Sequence, residues 1–86
     1  MAGVEEVREG IALCNEKASE GIAALQQAVH VLEEAQQALA TAIQGSAQEE
    51  MQQAYGMLAE VTQTIGGAQG TINACISSTE SYVGRL

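Results

Sequence analysis

Residues 43–50 read Ile43-Gln44-Gly45-Ser46-Ala47-Gln48-Glu49-Glu50, and the fold turns on them. Gly45 can take the left-handed conformation that ends a helix, because it has no Cβ to clash. Ser46 with Glu49 three residues later is a capping box: the serine hydroxyl accepts from the Glu49 amide, and the Glu49 carboxylate reaches back. One helix therefore stops and another starts across about two residues, which sends the chain back antiparallel as an αα-hairpin.

Working outward from this turn, large apolar residues recur in steps of three and four. Before it they fall at Val4, Val7, Ile11, Ile22, Leu25, Val29, Leu32, Leu39 and Ile43; after it, at Met51, Tyr55, Leu58, Val61, Ile65, Ile72, Ile76, Tyr82, Val83 and Leu86. That spacing marks one face of a helix on each side. The sequence thus predicts a single hairpin domain over 1–86, with a helix over 4–44, a turn at 45–46 and a second helix over 47–83. Composition agrees, since proline, phenylalanine and tryptophan are absent and helix formers dominate. The fold class is all-α.

Heptad letters refine the pattern. With Val4 at a, the a row reads Val4, Ile11, Ala18, Leu25, Leu32 and Leu39, and the d row Val7, Cys14, Gly21, Ala28, Ala35 and Ala42. Counting from Met51 gives Leu58, Ile65, Ile72, Thr79 and Leu86 at a, with Ala54, Val61, Ala68, Cys75 and Tyr82 at d. Large a residues of one helix layered on small d residues of the other predict a close, coiled-coil-like a/d seam. In that register Leu32 faces Val61 and Leu39 faces Ala54.

An a/d seam leaves the e row outside. Ile22, Val29, Ile43, Tyr55, Ile76 and Val83 all fall at e, whereas the g row holds Lys17, Glu50, Thr64, Thr71, Ser78 and Arg85, with only Val31 and Met57 large and apolar. The e residues are the predicted partner interface. An apolar flank of this kind is covered by another chain, and a second copy would make a four-helix bundle.

The chain has eleven acids, all glutamate, against Arg8, Lys17 and Arg85, for a formal net charge of −8. Such a surface repels phosphate backbones and anionic lipid, so neither nucleic acid nor a membrane is an expected partner. No apolar run approaches the roughly 18 residues of a membrane span, and the acidic first residues are unlike a signal peptide, which predicts a cytoplasmic protein.

Catalytic and metal-binding patterns are weak. Every glutamate falls at b, c, f or g, and the adjacent pairs Glu5-Glu6, Glu33-Glu34 and Glu49-Glu50 diverge rather than converge on a substrate. His30 shares an outer face with Glu33 and Glu34, but a carboxylate-bridged metal bundle wants Glu-x-x-His pointing inward, and residue 27 is Gln. No Cys-x-x-Cys pair or phosphate-binding glycine loop is present. No enzyme activity, cofactor or small-molecule substrate is expected. Cys14 and Cys75 read as free, small core residues, with a bridge closing a loop of about 60 residues as the alternative. Gly66, Gly67 and Gly70 soften the second helix, and Gly66-x-x-x-Gly70 is a small-residue patch.

In length, helix-turn-helix plan, Ala/Gln/Glu-rich composition and acidity, the whole chain resembles the small Trp-x-Gly hairpin proteins of type VII secretion systems. Their turn signature corresponds here to Ile43-Gln44-Gly45, which matches the glycine and carries isoleucine for tryptophan. Their tail motif, tyrosine followed four residues on by an acid, corresponds to Tyr82 and Leu86. The resemblance implies a non-catalytic homodimer or heterodimer with another helical protein, exported without a signal peptide or escorting a larger partner. A cytoplasmic structural or adaptor bundle is the alternative.

Overall fold

A computed structural model describes residues 3–45 and 48–86. Helix α1 spans Val4–Ala42 and helix α2 spans Glu49–Gly84, and no strand occurs among the described residues. The two pack along their length into a rod of 64 × 18 × 15 Å. The all-α hairpin expected from the turn and the two apolar patterns is the observed architecture.

The connection is longer than expected. Backbone bonding tightens at the end of α1, where the Gln44 amide donates to the Thr41 carbonyl at 3.3 Å, and Gly45 then takes φ +80°, the one positive φ among the described residues. The N-cap of α2 is Gln48, with extended backbone at ψ 120°; its carbonyl accepts from the amides of Met51 and Gln52 at 3.2 and 3.4 Å. Glu49 is therefore the first helical residue of α2 and not the third, so the capping box does not set the start of this helix. Glu49 and Glu50 still favour that end, because carboxylates in the first turn oppose the partial positive charge of the unbonded amides. Ser46 lies outside the described residues.

Burial shows which rows meet. Along α1 and its C-cap the half-buried residues include the run Ile11, Asn15, Ala18, Ile22, Leu25, Val29, Leu32, Gln36, Leu39 and Ile43, in alternating steps of four and three, together with Val7, Gly21 and Ala28. In α2 they are Met51, Ala54, Leu58, Ala59, Thr62, Ile65, Gln69, Ile72, Ile76, Thr79 and Val83. Apart from Ala59 these are the a and e rows with four d residues, Val7, Gly21, Ala28 and Ala54; the other d residues are exposed, so the seam is a/e with d at its edge. The repeat stays seven residues long on both helices, the period that a left-handed coiled coil uses to keep one seam facing its partner.

Two bonds between the helices agree with this seam. The Thr79 hydroxyl donates to Asn15 Oδ1 at 2.7 Å, and Gln69 Nε2 donates to the carbonyl of Ile22 at 3.4 Å. Carried along from the Asn15–Thr79 contact, the antiparallel register sets Ile22 opposite Ile72, Val29 opposite Ile65, and Ile43 opposite Met51. Asn15, Thr79 and Gln69 are thus bonded in place within the seam, and Thr62 returns its hydroxyl to the carbonyl of Leu58 at 3.1 Å.

Candidate interaction surface

The change of seam relocates the surface left for a partner. Ile22, Val29, Ile43, Ile76 and Val83, expected on an outer flank, are half-buried between the helices; Tyr55, in the same row beside the turn, is 38% exposed. Their large side chains already have a cover, which is the other helix of the same chain. The d row, expected inside, lies at the edge of the seam.

Reversing one helix of a pair reverses both its direction and its sense of winding about the seam, so like rows come together: d beside d on one side, b beside b on the other. The d side reads Val7, Cys14, Gly21, Ala28, Ala35 and Ala42 from α1, and Ala54, Val61, Ala68, Cys75 and Tyr82 from α2. No member is charged or carries an amide. Beyond it lies the g row, which adds Val31 and Met57. Four of the large apolar residues exposed on the hairpin, Val31, Met57, Val61 and Tyr82, stand on this d/g flank, and Met57 is the most exposed of them at 64%. The register puts Val31 and Val61 near one height along the rod, with Met57 about one helical turn closer to the connection.

Charge is divided in the same way. The d/g flank carries Lys17, Arg85 and one acid, Glu50, whereas the opposite b/f flank carries Glu5, Glu9, Glu16, Glu33, Glu49 and Glu80 with no lysine or arginine. Lys17 leans outward, its ammonium 3.5 Å from the exposed Glu20 carboxylate. An exposed pair like this contributes little to stability, but it draws the ammonium off the apolar flank.

Both cysteines are free thiols and both are exposed. Standing at d, they belong to the apolar flank and not to the core. The register separates them by at least one helical turn along the axis as well as by the width of the seam, beyond the roughly 7 Å between Cα atoms that a disulfide tolerates.

The remaining polar surface is open. His30 Nε2 lies 4.0 Å from Glu34 Oε1, with both side chains about two-thirds exposed. Together with Glu33, Gln37, Ala38 and Thr41 they border a shallow depression on α1. Among the described residues no three histidine, cysteine or acidic side chains gather in metal-binding geometry. Neither helix is long and apolar enough to cross a membrane. Gly66 and Gly70 stand on the b/f flank, where an added Cβ would meet nothing within 4 Å.

The signal for the d/g flank was present in the sequence as an unbroken apolar d row, but small residues there resemble the close-packed half of a seam. No protein-family model matches this chain, and no curated protein or solved structure does either.

Proposed function

We propose that this protein is a non-catalytic association module, whose hairpin contributes two helices to a larger helical bundle through the d/g flank. The observation that carries this reading is that none of the described residues is fully buried, while the d row along one side of the rod holds no charged or amide side chain and four large apolar residues stand exposed on the d/g flank. A packed helical protein covers such a side with further helices. Diverging, solvated carboxylates on the other faces suit a surface exposed to water.

A photoreactive residue placed at Val61 on the flank, or at Leu13 on the outer face, tests this in the native host. The reading expects adducts at position 61 and none at 13. Adducts at neither position, or equally at both, would sink it. The resemblance to the Trp-x-Gly hairpins, which keeps the turn glycine but neither the tryptophan nor the acidic tail position, extends the proposal to export as a secreted substrate or escort. That extension expects the protein in culture filtrate; retention in the cell together with its partner points to a cytoplasmic adaptor instead.

A further inference from the structure

We infer that the occupant of the d/g flank is a second copy of this chain, the two hairpins meeting flank to flank as a four-helix bundle. This rests on the association reading above and names its partner. Three observations lead to it.

The first is area. The hairpin exposes 6152 Å², against about 4,800 Å² for a compact monomer of its mass, so roughly 1,300 Å² is left over. A flank running the 64 Å of the rod and 15–18 Å across offers about 1,000 Å², above the roughly 800 Å² per partner of a standard interface. One further hairpin of the same size is enough to cover it.

The second is charge. Two chains of net charge −8 repel, and most orientations bring glutamates together. Seating b/f on b/f would oppose six acids with six. Seating d/g on d/g opposes none at d and only Lys17, Arg85 and Glu50 at the rim. That leaves two bases and one acid at the rim, and the remaining acids stand on the other rows.

The third is shape. The d row is mostly alanine, glycine and cysteine, so backbones of two flat hairpins can come close, while Val31 and Val61 at one level, with Met57 about a turn away, supply larger anchors. A two-fold axis makes such a self-complementary surface an interface without any second partner.

Light scattering on the purified full chain gives the mass in solution, and two substitutions give the face. Val61 and Leu13 are 46% and 55% exposed, so glutamate at either leaves the hairpin helical, which circular dichroism checks. The expected result is a wild-type dimer at twice 8.9 kDa, Val61→Glu weakening it on the order of a hundredfold by setting an unpaired carboxylate into an apolar contact, and Leu13→Glu unchanged. Alkylation provides a readout without mutation: Cys14 and Cys75 should react slowly in the concentrated wild type and at the rate of free thiols on dilution. A monomeric wild type with fully reactive thiols at high concentration overturns self-association, while position-61 adducts to a different protein in the host would leave the association reading standing. A dimer indifferent to Val61→Glu, or equally weakened by Leu13→Glu, overturns the choice of flank.

Discussion

At Gly45 the φ of +80° is what lets α1 stop and the chain turn. An alanine there would meet no atom within 4 Å, so its cost comes from the backbone alone, about 1–2 kcal/mol for a left-handed L-residue. Urea unfolding of Gly45→Ala should show that loss with an unchanged slope. A second residue-scale test concerns Asn15 and Thr79, bonded inside the seam at 2.7 Å. Thr79→Val alone leaves the Asn15 carbonyl oxygen without this donor and should cost about 1 kcal/mol. Asn15→Leu with Thr79→Val should recover it or better, since replacing both partners by apolar groups removes the desolvation penalty. A double-mutant cycle showing no coupling would mean that the bond contributes nothing. The turn glycine was legible in the sequence because only glycine tolerates the conformation so cheaply. Glu49 was less so: Ser-x-x-Glu fits a capping box, yet the extended backbone at Gln48 delays the helix until Glu49 itself.

At the scale of the helices, the apolar period is what made both elements readable, and the same period misplaced the seam. The a row is large and apolar, so it faces inward in either register. The choice between d and e set a row of small but uniformly apolar residues against one mixing isoleucine and valine with Asn15, Gln36, Thr62 and Gln69. Burial scales with the area removed from water, at roughly 25 cal/mol per Å². Turning Ile22, Val29, Ile43, Ile76 and Val83 inward therefore gains more than turning in alanines, provided the polar members find partners. They do at Asn15–Thr79 and at Gln69–Ile22. A similar weighing applies to Gly66 and Gly70, which sit in a continuous helix with open space where a Cβ would go. Alanine at each should stabilise the hairpin by about 1 kcal/mol, the usual difference in helix propensity. Because both lie on the b/f flank, neither change should alter the mass measured by light scattering. Loss of the dimer on Gly66→Ala would show that the small-residue patch, and not the d/g flank, makes the contact.

For the whole molecule, the absence of any fully buried residue among those described bears directly on stability. A two-helix rod gains from one seam only, and small domains with shallow cores are marginal unless something else covers them. If the second copy provides that cover, folding and association are linked, and the unfolding temperature must rise with protein concentration, since each folded chain is drawn off by dimerisation. Circular dichroism melts over a hundredfold range of concentration should show the midpoint climbing for the wild type and for Leu13→Glu, but staying fixed for Val61→Glu. Salt should act in the same direction. The eleven glutamates lie almost wholly off the proposed interface, where they resist the approach of a second acidic chain through solvent. Shortening the screening length from about 30 Å at 0.01 M salt to about 8 Å at physiological ionic strength relieves that repulsion. The dimer should therefore tighten as salt is added, and the midpoint of the melt at a fixed protein concentration should rise with it. Weakening by salt would mean that attraction between opposite charges drives the contact, which a face carrying only Lys17, Arg85 and Glu50 cannot supply; a partner with a basic surface seated on the b/f flank would then fit the behaviour better.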